Sequence, residues 1–316
     1  MLKTFPKGGI HPAENKITST KAIKRMSVPK VVYVPIAQHI GIPSEIVVDR
    51  KDKVVIGQVI ARSGGFVSTN IHSPVAGTVT KLDMIVDSSG YKKQCIVIRT
   101  DQKDESNFRE VEYTLLEDIL MSPKNILQRI SDFGIVGLGG ATFPSHVKLT
   151  VKEDKKIDCL IINGVECEPY LTADHRLMLE KADEIIVGIR ILMHALHVDK
   201  AVIGIENNKK DAIEVLRKAA RSDDRIQVAV DPQSLQDCRQ SGVKIGHHRE
   251  LTAPAAQTFQ NRRDLGETLP GADLCVVLVQ GLEEGLEITK PAACAGDHAV
   301  HQNTPPIALQ TPQLIQ

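Results

Sequence analysis

Two short stretches carry residue types and spacings suited to chemistry. Gly137-Leu138-Gly139-Gly140-Ala141-Thr142-Phe143-Pro144 places three glycines within four positions. Without Cβ atoms such a backbone turns tightly and brings its N–H groups close to a bound group. A helix beginning near Ser145 would add free N–H groups and a favourable dipole for a phosphate, and Lys148 a point charge. A glycine turn that merely joins two elements is the plainer reading of this motif by itself. The second stretch, Asn163-Gly164-Val165-Glu166-Cys167-Glu168-Pro169-Tyr170, directly follows an apolar run. If that run is a strand, Asn163, Glu166 and Glu168 sit at its carboxyl edge, where a sugar hydroxyl or an amide is readily hydrogen-bonded. A solvated loop is the alternative, with Thr172 or Asp174 capping the next helix.

The elements that must hold these stretches form an α/β layer. Cys159 to Ile162 predicts a strand and Ala201 to Ile205 a short buried one. Arg176 to Leu196 predicts one long helix with Met178, Leu179, Ala182, Ile185, Ile186, Ile189 and Leu192 as its stripe. Lys209 to Arg221 predicts an amphipathic helix, and Leu116 to Phe133 has near-helical spacing interrupted at Ser122-Pro123. Upstream, β-branched runs such as Val31 to Val34, Ile46 to Val48 and Val54 to Ile56 alternate with turn residues, predicting a small sandwich or flattened barrel. Past about residue 229 the periodicity fades, with Leu274 to Gln280 as one candidate strand and a Gln/Pro-rich tail read as disordered. The division expected is 1–115, β-rich; 116–228, α/β; and 229–316, divergent.

Bulk properties exclude several classes. Lys+Arg and Asp+Glu balance at 39 each, and aromatic residues make up 3% with no Trp, which disfavours nucleic acid as a partner. Apolar stretches such as Ile185 to Val187 and Val276 to Val279 fall well short of the ~20 residues of a membrane span. MLKTFPKGGIHP lacks the apolar region of a secretory signal. The six scattered cysteines are expected as free thiols. His11, His39, His72, His146 and His175 lack metal-binding spacing and are expected as surface or capping residues.

The run GLGGATFPSHVKL followed by IINGVECEPYLTADHRLM resembles the flavin-binding core of the C subunit of Rnf-type electron transport complexes. It is more distantly similar to the flavin subunit of complex I, with Leu138 where Arg is usual and Val165 where Asp is usual. FPKGGIHPAENK, VPIAQHIG and IHSPVAGTV resemble the opening domain of the same family, so the likeness runs from about Phe5 to about Val228. The first domain also resembles a biotinyl/lipoyl-like hammerhead, a barrel-sandwich hybrid. The segment where a carrier presents its modified Lys, Ser63 to Asn70, contains no Lys, so a docking or lid role is expected instead.

The resemblance implies an α/β domain like the complex I flavin subunit, binding FMN and NADH, in a peripheral oxidoreductase subunit on the cytoplasmic face of the cell membrane. Its partners would be other subunits of an ion-transporting electron transport complex. Gly137, Gly139, Gly140, Ala141, Phe143 and Lys148 are the candidates for the flavin, the glycines and Lys148 on its phosphate side. Asn163, Glu166 and Glu168 are the candidates for the isoalloxazine and nicotinamide side. None needs to be an acid–base catalyst, because hydride transfer depends chiefly on positioning.

The family also implies two 4Fe-4S clusters held by runs of the CxxCxxCxxxCP kind, and here the chain departs. Its closest cysteines, Cys159 and Cys167, have seven residues between them, and Cys238, Cys275 and Cys294 are isolated. A frame change near residue 229, a truncated paralogue, or a divergent relative with other clusters each fits, and the loss of periodicity favours the first. A non-catalytic relative and a soluble subunit feeding electrons from NADH to a partner reductase are therefore the alternative functions.

Overall fold

A computed structural model describes residues 13–86, 90–108, 114–138, 142–151, 157–166 and 168–230, together with the backbone of 274–279. The first domain is a β sandwich. Strands β1 (Val31–Pro35), β2 (Glu45–Ile46), β3 (Lys53–Val54), β4 (Val59–Arg62), β5 (Ile71–His72), β6 (Gly77–Val86) and β7 (Lys92–Thr100) form two sheets, in the orders β1-β7-β6-β3 and β2-β4-β5. Alternation decides which side chains face inward: Val32 and Val34 are buried while Val31 and Tyr33 are exposed. Val54, Ile60, Ile71, Val79, Ile96 and Ile98 complete this core.

The second domain is built on a parallel sheet. Strands β8 (Ile157–Gly164), β9 (Ala201–Ile205), β10 (Ile226–Val230) and β11 (Leu274–Val279) lie in the order β10-β9-β8-β11. All five residues of β9 are buried, as a strand covered on both faces requires. Helices α1 (Pro123–Asp132), α2 (Ser145–Leu149), α3 (Ala173–Glu180), α4 (Ala182–Leu196) and α5 (Lys210–Ala219) supply the rest of the core, including Ile126, Leu149, Met178, Ile186, Leu192 and Leu216. From β8 the chain steps outward to β9 and then β10, whereas β11 lies on the other side of β8. The order therefore reverses at β8, and in α/β sheets the crevice outside the carboxyl ends at such a reversal is where ligands settle. Asn163 sits there, in register with Val279 of β11.

Three elements differ from the sequence expectation. The helix expected over Arg176 to Leu196 is two helices, broken at Lys181 (φ −131°, ψ 30°). Lys181 N still donates to Leu177 O and Ile185 N to Lys181 O, so the break costs little while letting α3 lean on α5 and α4 on the sheet. The helical spacing from Leu116 yields a helix only from Pro123, because Ser122 Oγ caps Asn125 N and Pro occupies the first helical position, where its missing N–H costs nothing. β10 extends to Val230, slightly past the point where the periodicity fades.

The domains meet through the tip of the sandwich. Asn70 Nδ2 donates to Asp132 O (3.1 Å), and Ile40 N donates to Thr142 O (3.4 Å). α1 ends in a Schellman motif, with Gly134 N on Ser131 O, Ile135 N on Ile130 O, and Gly134 at φ +69°. A Cβ on Gly134 would lie 2.2 Å from Asn70 O, so the missing side chain is what admits the sandwich. Of the histidines expected at the surface or as caps, His39 is buried and His72, His146 and His175 are half-buried. The Nδ1 of His39 faces Ile40 O, and its Nε2 accepts from Thr69 N and lies 3.1 Å from Ser44 Oγ. Burial pushes the pKa of His72 down, against the opposing pull of Asp132. His175 pairs with Asp211 at 2.9 Å, and His11 lies outside the described residues.

Candidate functional site

The glycine loop is pinned at its neck. Gly137 N donates to Phe143 O (3.0 Å), Ser145 N to Ile135 O (3.0 Å), and Val136 bridges Pro144. Gly139, Gly140 and Ala141 lie outside the described residues. The helix expected from Ser145 is only the five-residue α2, and Ser145 N is already used by Ile135 O, so a strong dipole is not available there. Lys148 lies in α2, half-buried, and burial pushes its pKa down. Among the described residues no carboxylate pairs with it.

The second stretch is organised by its own side chains. Asn163 Oδ1 accepts from Val165 N (3.0 Å), an Asx turn that swings the chain off β8. Gly164 is needed at the strand end: a Cβ there would stand 3.0 Å from Gly204 O and 3.1 Å from an Ile205 methylene carbon. Glu168 is exposed, and its Oε2 accepts from Tyr170 N (2.8 Å) and Leu171 N (3.0 Å). Cys167 lies outside the described residues.

Glu166 is 3% exposed, and its Oε1 accepts from Asp174 N at 2.8 Å. It therefore supplies the cap that Thr172 or Asp174 was expected to give. Thr172 is free for another contact, and its hydroxyl lies 2.6 Å from that of Thr18. Two further groups complete this cluster: Asp174, marked in the sequence only as a helix cap, and Lys16, the last residue of the FPKGGIHPAENK run. Asp174 has its pKa raised to about 7 by burial first, then by the negative charge of Glu166 and by sharing a proton with it. Lys16 and Lys209 pull the other way without cancelling the shift. Lys209 is itself buried and ion-paired with Glu206.

Lys16 comes from a strap, residues 14–23, that crosses the second domain before the chain enters β1. Its Nζ donates to Glu166 O (2.9 Å), Glu168 O (2.6 Å) and Leu171 O (2.7 Å), and stands 3.9 Å from Glu166 Oε2. Asn15 N donates to Pro169 O, Ile23 N to the Glu180 carboxylate, and Arg176 Nη1 to Ser19 O. No local pattern announces Lys16, because its partners lie 150 or more residues away.

These residues suit a phosphorylated flavin in two respects. A desolvated Lys148 with no paired anion among the described residues is a ready partner for a phosphate. Glu166 Oε2, buried, 3.9 Å from Lys16 Nζ and with no hydrogen-bond partner among the described residues, is a ready acceptor for an N–H or hydroxyl. Among the described residues no cluster of three or more His, Cys, Asp or Glu is placed to hold a metal ion.

Comparison with known proteins gives two family matches. The Nuo51 FMN-binding domain matches residues 130–236, and the RnfC barrel sandwich hybrid domain matches residues 3–103. The chain is 36% identical over 311 residues to the C subunit of the proton-translocating ferredoxin:NAD(+) oxidoreductase complex of Clostridium ljungdahlii, covering 96% of this chain and 65% of the relative. It is 35% identical over 308 residues to the C subunit of the Na(+)-translocating ferredoxin:NAD(+) oxidoreductase complex of Acetobacterium woodii, covering 97% of this chain and 68% of the relative. With the C subunit of the ion-translocating oxidoreductase complex of Rhodobacter capsulatus it shares 42% identity over 225 residues, 70% of this chain and 43% of the relative. The chain thus spans about two thirds of the first two relatives and under half of the third. The first two alignments extend well past Val228. Among solved structures, NAD+-reducing NiFe hydrogenase in its air-oxidized state aligns over 34% of this chain and 20% of that one, at 25% identity and a TM-score of 0.32.

Proposed function

The chain belongs to the RnfC family, and from that premise we propose that it is the FMN-binding, NADH-oxidising subunit of an ion-translocating electron transport complex. It would sit peripherally on the cytoplasmic face of the membrane and pass electrons toward iron–sulfur carriers. Among the described residues no helix is long and apolar enough to cross a membrane. The observation that carries the reading is Lys148, half-buried in α2 just after the glycine loop and, among the described residues, with no carboxylate paired to it.

In this reading Lys148 holds the flavin phosphate, and Gly137 with Gly139, Gly140, Ala141 and Phe143 shapes the backbone around it. Asn163, Glu166 and Glu168 face the isoalloxazine and nicotinamide at the switch point beside β8. Held by these residues, FMN would supply hydride acceptance from NADH and one-electron release. The chain's residues bind and orient, and Asp174, its pKa raised to about 7 by burial and by the Glu166 charge, is poised to hold a proton near neutral pH.

The alternative of a frame-altered, non-conducting relative requires the segment beyond Val228 to be foreign to the family. The reach of the first two alignments into that segment, and the pairing of β11 with β8, favour the first reading.

The direct test is the visible spectrum of the full chain reconstituted with FMN, before and after anaerobic NADH. Retained flavin that bleaches on NADH is expected; failure to retain flavin would remove the catalytic reading for this chain. Lys148→Met should weaken FMN binding about ten- to hundred-fold, the worth of a charge-assisted hydrogen bond. Riboflavin, which lacks the phosphate, should bind parent and variant alike. Equal FMN affinities would place the phosphate elsewhere.

A further inference from the structure

Three carbonyl oxygens of one short loop, from Glu166, Glu168 and Leu171, converge on a single ammonium at 2.6–2.9 Å. Carbonyls pointed at one another repel, and a loop shaped this way is held only while a cation sits at their focus. Metal-binding loops solve this with a bound ion, whereas here the cation is Lys16, covalently tied to a strap 150 residues upstream. Its side chain is 17% exposed, so water does little to screen the contact. The loop so gathered carries Glu166 and Glu168 and delivers Asp174 to the Glu166 carboxylate.

We propose that Lys16 is a positioning residue: its ammonium acts as a tethered cation that sets the shape of the 166–171 loop and so presents Glu166 and Glu168 to the nicotinamide. Presentation to the nicotinamide rests on the NADH reading above; the shaping of the loop does not. The planar fork of arginine cannot aim three donors at three converging carbonyls as an ammonium does, so charge alone is insufficient.

The test uses the full chain with Lys16→Met, Lys16→Arg and Lys16→Ala. Without any cofactor, amide exchange at Tyr170, Leu171 and Asp174 should quicken about ten- to hundred-fold in the Met and Arg variants, reflecting lost bonds to a charged donor. Ammonium chloride added to Lys16→Ala should restore protection, and sodium chloride at equal ionic strength should not. In the FMN-loaded protein, the KM for NADH should rise about tenfold, with kcat at saturation and FMN affinity within about twofold, because saturating substrate re-forms the loop. Unchanged exchange in Lys16→Met, or full protection in Lys16→Arg, would overturn the tethered-cation role. A parallel loss of FMN affinity and kcat would overturn the positioning role in favour of general stability. If the parent itself fails to oxidise NADH, the functional reading falls, while the exchange experiment still decides what Lys16 does to the loop.

Discussion

Asp174→Asn is expected to raise the unfolding temperature at pH 8 and leave it nearly unchanged at pH 4. Burial and the Glu166 charge lift the Asp174 pKa from 3.8 to about 7. A carboxyl whose folded-state pKa is raised favours folding most when protonated. That contribution is complete below the unfolded value and is lost as pH climbs through the folded one. The cost of ionising Asp174 therefore grows between about pH 4 and pH 7 and is constant above. A shift of this size corresponds to at most about 4 kcal/mol, and partial solvent access makes about 2 kcal/mol a fairer expectation. For a chain of this size that is a rise of roughly 4–8 °C. Asparagine mimics the protonated acid, since it is neutral, of the same shape and keeps a donor on its side chain. Thermal unfolding of both proteins from pH 4 to 8 would show the two curves diverging as pH rises. Parallel curves would mean that Asp174 is ionised at little cost in the folded protein.

Gly134→Ala should undock the sandwich from the α/β domain while leaving both cores intact. The left-handed φ of +69° alone costs alanine about 1–2 kcal/mol. The new methyl would also lie 2.2 Å from Asn70 O, a contact that backbone must relieve by moving. Moving the tip loses the Asn70–Asp132 bond and strains the Ile40–Thr142 one, adding about 1 kcal/mol for each bond lost. Amide protection should fall in segments 39–44 and 63–72 and persist in β8 and β9, and one unfolding transition should separate into two. Retained protection at the tip with a single transition would show that docking does not depend on this close approach.

How legible all this was from sequence depends on the range of the interactions. The run Ala201 to Ile205 announced β9 because a strand buried on both faces must be apolar throughout. The amphipathic spacing that became α5 was equally plain, because Ala212, Ile213 and Leu216 face one core. The break at Lys181 was invisible: the apolar stripe runs across it, and only the need of α3 to lean on α5 separates the two helices. Glu166 was marked as a site residue for its chemistry, yet its cap on Asp174 depends on the loop folding back across eight residues. The depth of His39 and the role of Lys16 were hidden for the same reason. Each is fixed by partners that no local pattern names, whether Thr69 or the carbonyls beyond β8. Nothing in the local sequence singles out Gly134, because its absent side chain is set by the neighbouring domain.

The strap that carries Lys16 also orders events in time. It leaves the ribosome before the sandwich does, but its partners from Glu166 to Glu180 follow some 150 residues later. At about 5–20 residues per second, the strap waits roughly 8–30 s without its partners. The sandwich, whose strands pair only with one another, can fold in that interval. In spatial terms the sandwich is then an insertion within a discontinuous α/β unit, and the last contacts to form are those made by a segment near the beginning of the chain.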